Sequence, residues 1–188
     1  MKIYTKTGDR GETALFGGNR IAKNSLRITA IGHVDELNST LGIVISELNQ
    51  ETSSDLIKLL LRVQSDLLRV GADLATPLSA IKMYQEQVNR IDKDDVVKLE
   101  KEIDIWDKSL PKLTQFILPG GTEAASHTHQ ARSVCRRAER KIVELSLQEE
   151  VNSDLLKFVN RLSDWLFVLG RFINQSENIG DTFAVEKN

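Results

Sequence analysis

The chain has 188 residues, the size of one domain, with enough length to bury a core without disulfide or metal staples. Its 25 basic and 27 acidic side chains give a formal net charge of −2, which speaks against a nucleic-acid partner but leaves room for a local basic patch. No apolar run approaches the roughly 20 residues that cross a bilayer, no secretion-signal stretch opens the chain, and the single cysteine, Cys135, has no internal disulfide partner; a cytoplasmic protein with no membrane partner is expected.

The amino-terminal segment stands apart. Residues 5–24, TKTGDRGETALFGGNRIAKN, hold four glycines and three threonines but no helical stripe. Glycine lets a backbone approach a ligand closely, Thr and Asp supply oxygens, and Lys6, Arg10 and Lys23 supply positive charge. That composition suits a phosphate-binding loop with an adjacent metal ion, although the spacing of a P-loop is absent. A flexible tail is the alternative reading of the same residues.

Five segments then carry helical periodicity, and nothing after residue 24 reads as a strand. The first, about Ser25 to Leu48, aligns Val34, Leu37, Leu41, Val44, Ile45 and Leu48 on one face. The second, Ser54 to Leu74, repeats Leu56, Leu60, Val63, Leu67 and Val70. The third starts at the N-cap Asp92 and places Val96, Leu99, Ile103, Trp106 and Leu110 on its apolar side. The fourth follows Leu118-Pro119-Gly120-Gly121, with Thr122 as N-cap, and runs to about Leu147; the fifth runs from about Ser153 to before Asn178. Pro77, Pro111 and Pro119 all fall between helices. The expectation is all-α: a single-domain, up-down five-helix bundle of ferritin-like appearance over 25–176, preceded by the glycine-rich loop of 1–24 and followed by a tail of 177–188.

On the fourth helix, Ala131, Val134, Cys135, Ala138, Ile142 and Leu145 share the side expected to be buried. His129, Arg132, Arg136, Arg137 and Arg140 gather opposite, with Glu139 at the flank. Arg132, Arg136 and Arg140 stand at i, i+4, i+8, a row of like charges that needs compensation. Either salt bridges solvate that face, or it clamps a polyanion, because a guanidinium fork matches phosphate oxygens two at a time. The fifth helix carries Asn160, Asp164, Phe167 and Arg171 opposite its apolar stripe. An aromatic among polar groups there points to a subunit or ligand contact. Three histidines with no Glu-x-x-His pair speak against a di-metal bundle.

The opening TKTGDRGET with Lys23, the stretch HVDELNSTLG, the segment FILPGGTEAASHTHQARSVCRRAER and VNRLSDWLF together resemble the PduO-type ATP:cob(I)alamin adenosyltransferases, from Lys2 to about Asn174. The resemblance implies a five-helix bundle assembled as a homotrimer, with active sites between subunits. It implies transfer of the 5′-deoxyadenosyl group of ATP to a cob(I)alamin or other corrinoid. By the same resemblance Thr5, Lys6, Thr7, Gly8, Asp9, Thr13 and Lys23 bind ATP, while Arg136, Arg137, Glu139 and Arg140 hold its triphosphate and Mg2+, with no dedicated side-chain metal cluster. Asn160 would hydrogen-bond the nucleotide, Asp35 and Arg132 would pair across the subunit interface, and Phe116 would pack beneath the corrin ring. A corrinoid reductase and an adenosylcobalamin-dependent enzyme are the implied partners. A trimer that binds and delivers corrinoid without catalysis is the alternative.

Overall fold

The computed structural model describes residues 2–184. It contains, in chain order, strands β1 (Glu12–Ala14) and β2 (Arg20–Ala22), then helices α1 (Leu26–Glu47), α2 (Ser54–Leu74), α3 (Lys82–Gln85), α4 (Lys93–Asp107), α5 (Glu123–Ser146) and α6 (Ser153–Ser176). The protein is mostly helical. Five of the six helices are long and coincide with the five periodic segments.

Their starts follow from capping. The Ser25 hydroxyl accepts the Ile28 N–H, the Thr122 hydroxyl accepts the Ala125 N–H, and Asn152 accepts the Asp154 N–H. Asp92 and Asp95 form a reciprocal capping box at the start of α4. Each cap satisfies backbone donors that no helical carbonyl can reach.

Packing joins α2 to α1, α1 to α5, α5 to α6, and α6 to α4. Ion pairs then connect α4 back to α2: Arg62 to Glu102 at 2.7 Å and Arg69 to Asp95 at 2.8 Å. The fully buried Trp165 of α6 donates its indole N–H to the same Glu102 at 2.8 Å. The expected stripes fill the space between: Leu37, Leu41, Leu60, Leu99, Phe158, Leu162 and Trp165 are all inaccessible to solvent. Each buried side chain of this kind is worth about 1.5–3 kcal/mol.

Several features depart from the sequence reading. Residues 12–22 form an antiparallel hairpin, with Glu12 opposite Ala22 and Ala14 opposite Arg20. Gly17 and Gly18, at φ +110° and +85°, make its turn possible. A four-residue helix, α3, occupies the connection where none was expected, too short to show a period. The third periodic segment ends three residues early, at Asp107, because Ser109 and Leu110 turn back onto Trp106 and Asp107 ahead of Pro111. Pairing also occurs after residue 24, where none was expected: Ile117 bridges Phe183. That bridge ties down part of the supposed tail; residues 185–188 of it lie outside the described residues.

Candidate functional site

The hairpin organises the amino-terminal loop. Arg20 pairs with Glu12 at 3.0 Å and donates to the Thr7 carbonyl at 2.9 Å, so β2 holds the segment before β1. Lys23 donates its backbone N–H to Gly11, and its ammonium lies over Gly8, 3.1 Å from where a β-carbon would stand. Thr5 and Thr7 share a hydrogen bond of 2.8 Å between hydroxyls, and Lys6 between them adopts φ +61°. Thr5, Lys6, Thr7 and Asp9 are exposed, and Thr13 is half-buried on β1 opposite Ile21. The loop is therefore built around the hairpin rather than a loose tail. It is fastened to the body by Phe16, whose N–H donates to Ala75 and whose ring meets Tyr84 edge-on at 5.7 Å.

On α5, Arg136 and Arg140 are exposed, and Arg132 and Arg137 are half-buried. Among the described residues, the ion pairs made from α5 use only Arg137 and Lys141. Arg137, beside the row, reaches α1, where Glu36 accepts at 2.5 Å and His33 lies at 3.4 Å. The Arg137 guanidinium, and then His33, hold the Glu36 carboxyl below its ordinary range. Glu139 accepts 2.7 Å from the Asn160 amide, joining α5 to α6. Its carboxylate thus stands among the arginines with one oxygen already anchored, a single anionic donor suited to a cation that arrives with its own phosphate ligands.

Arg132 links this row to a second feature. Its guanidinium lies over the Phe167 ring, 5.2 Å from the centroid, and its Nε is buried without a partner. Arg132, Asp164 and Phe167 line an open cavity of about 780 Å3 together with Phe116, Ile117 and Ala184. Phe116 is 90 % exposed, an unusual state for so large an apolar ring unless something covers it. Phe167 is half-buried against Arg132 and His129 of its own chain.

The protomer does not bring every expected residue together. No hydrogen bond or ion pair among the described residues links Thr5–Lys23 to the α5 arginines, and Asp35 makes none with Arg132. Asp35 is exposed beside a groove between α1 and α2, with Ile31, Leu67 and Leu68, whereas Arg132 faces the Phe116 cavity. Two placements are corrected. His129, expected on the exposed side, is only 6 % exposed, because Gly170 leaves room for its ring; a β-carbon there would lie 2.9 Å from it. Burial, and secondarily the Arg132 charge, lower its pKa. Arg171, expected on the ligand-facing side of α6, is buried and paired with Asp181 at 2.8 Å. Asp181 is remote in the helical pattern, so periodicity carried no sign of the pair. Among the described residues no cluster of three or more His, Cys, Asp or Glu side chains is placed to hold a metal ion.

A glycine-rich loop, a row of Arg132, Arg136 and Arg140 without ion pairs among the described residues, and an open cavity lie on one helical body, an arrangement suited to a nucleotide-using enzyme. The chain belongs to the cobalamin adenosyltransferase family, which its residues 3–173 match. It is 42 % identical over 182 residues to the corrinoid adenosyltransferase of Bacillus subtilis (strain 168), covering 96 % of this chain and 91 % of that one. It is 40 % identical over 176 residues to the Homo sapiens corrinoid adenosyltransferase MMAB, covering 94 % and 70 %. A variant PduO-type ATP:corrinoid adenosyltransferase from Lactobacillus reuteri, complexed with cobalamin and ATP, superposes with a TM-score of 0.91 at 40 % identity, over 100 % of this chain and 98 % of that one.

Proposed function

We propose that this chain binds ATP and a reduced corrinoid side by side and moves the 5′-deoxyadenosyl group from ATP to cobalt, releasing triphosphate. It is a corrinoid adenosyltransferase. The reaction is a displacement at C5′: Co(I) supplies the electron pair of the new Co–C bond, and the C5′–O bond breaks with its pair going to triphosphate. Co(I) is already a strong nucleophile, so no side chain is needed as a base. The protein's work is alignment, worth on the order of 7–11 kcal/mol in favourable cases, and neutralisation of the departing charge.

In this reading Arg136 and Arg140, with Arg137 released from Glu36, grip the triphosphate. Glu139 contributes one oxygen to its Mg2+, and Asn160 hydrogen-bonds the nucleotide. Thr5, Lys6, Thr7, Gly8, Asp9, Thr13 and Lys23 close over the phosphates from a neighbouring subunit of a homotrimer. What supports the two-subunit assignment is that, among the described residues, no hydrogen bond or ion pair joins the loop to the arginines. Asp35, exposed beside its own groove, is then free to pair with Arg132 of the next five-helix bundle. Phe116 lies beneath the corrin and keeps the lower ligand and water from cobalt, easing reduction of Co(II) by a reductase. We place the enzyme in the cytoplasm, where an unpaired cysteine stays reduced.

The observation that carries the reading is the double role of Arg132, at once a member of the arginine row and part of the lining of the Phe116 cavity. It supports a phosphate-binding surface beside a ring-binding one, as a transfer between ATP and a macrocycle demands. Incubating the protein with ATP and chemically reduced cobalamin should give a light-sensitive cobalt–carbon product and one triphosphate per turnover. Consumption of ATP to diphosphate, or no photolabile product, would contradict the assignment.

A further inference from the structure

The loop that carries Phe116 has no helix or strand of its own, so its position depends on what holds it. Both ends are tied to the last two turns of α6. Arg171, 2 % exposed, donates to the Pro111 carbonyl at 2.6 Å and meets both carboxylate oxygens of Asp181 at 2.8–3.2 Å. One turn later Asn174 donates to the Gly120 carbonyl at 2.8 Å and accepts the Thr122 N–H at 3.0 Å. From Asp181 the chain runs as a strap against the middle of the loop. The Leu118 N–H donates to Thr182 at 2.7 Å, the Ala184 N–H donates to Phe116 at 3.0 Å, and Ile117 bridges Phe183. Removing one member of a buried ion pair strands the other charge, so the strap is held wherever Arg171 is held.

We infer that Arg171 is a positioning residue for adenosylation: through Asp181 it fastens residues 181–184 onto the loop and fixes where the Phe116 ring stands in the cavity. The inference rests on the reading that Phe116 keeps the axial ligand off cobalt. Arg171 touches neither substrate; it acts through the strap. A purely structural role would lower the melting temperature and leave the surroundings of cobalt unchanged.

Two variants separate these roles. Asp181→Asn keeps the shape and removes the charge, while Ala184→Pro deletes the N–H that holds the Phe116 carbonyl and restricts the backbone of residues 183 and 184, at the far end of the strap from the buried pair. Each is loaded with ATP and cob(II)alamin beside wild type and Phe116→Ala, and electron paramagnetic resonance reads the fraction of Co(II) without an axial ligand. Both strap variants should lose that fraction, and turnover from Co(II) plus reductant should fall roughly ten- to hundredfold, the scale of a misplaced contact. KM for ATP should stay near wild type, and Asp181→Glu should restore part of the signal. If Phe116→Ala loses the ligand-free signal and both strap variants keep it, the positioning role is overturned while the reading of Phe116 survives. If Phe116→Ala keeps the signal, that reading fails and takes this inference with it.

Discussion

A single ring and a single glycine show how much rests on individual residues. Phe116 makes few contacts with its own chain, so Phe116→Ala should cost little stability, unlike truncation of a core aromatic at about 3–5 kcal/mol. Its effect should fall on chemistry: a large loss with Co(II) plus reductant and a milder one with prepared Co(I). Equal losses in the two assays would count against ligand exclusion. Gly121 presents the opposite case. It sits at φ +108°, and an added β-carbon would lie 2.1–2.4 Å from the Asn174 amide, inside the atoms that hold both Gly120 and Thr122. Gly121→Ala should therefore cost roughly 2–4 kcal/mol, from backbone strain and displaced hydrogen bonds, and lower the melting temperature by about 5–15 °C. A thermal scan within a degree or two of wild type would show that Asn174 yields freely.

Among the elements, α5 carries the widest range of duties. Its inner face was legible from 3.6-residue spacing alone: Ala131, Val134, Cys135, Ala138, Ile142 and Leu145 are all buried as expected. Its outer face was legible as charge but not as pairing. The sequence shows five basic or titratable side chains there, yet only the structure separates Arg136 and Arg140, without ion pairs among the described residues, from Arg137, which is bound to Glu36. His129 was misplaced because its burial is made by Gly170 on another helix, a long-range fit no local pattern reports. That burial has a consequence. A histidine held below its ordinary value near 6.5 takes its proton later than the unfolded chain does. Stability should then decline as pH falls through about 6.5 towards the lowered folded value, and His129→Gln should remove that part of the decline. Identical melting curves for both proteins at pH 7 and pH 5.5 would contradict it. The α3 turn and the hairpin escaped the sequence reading for a simpler reason, since three or four residues display no measurable period.

At the scale of the whole molecule, the proposed shared site treats one protomer as incomplete. The loop of residues 5–24 and the arginines of α5 are each well formed, and no hydrogen bond or ion pair among the described residues joins them. Asp35 and Arg132 likewise face different cavities. In the proposed trimer, a ring of subunits joined head to tail would supply both contacts with one kind of interface. The resemblance of the motifs indicated this arrangement; composition and periodicity could not, because both describe one chain at a time. Co-assembly of two inactive variants tests it most directly. Arg136→Ala disables the phosphate grip and Lys23→Ala the loop; each alone should be nearly inactive. In trimers assembled from an equal mixture, sites between subunits should combine an intact loop with an intact arginine row about a quarter of the time, restoring about that share of wild-type turnover. Mixed trimers no more active than either parent would mean that each chain completes its own site, and the shared-site account would be wrong.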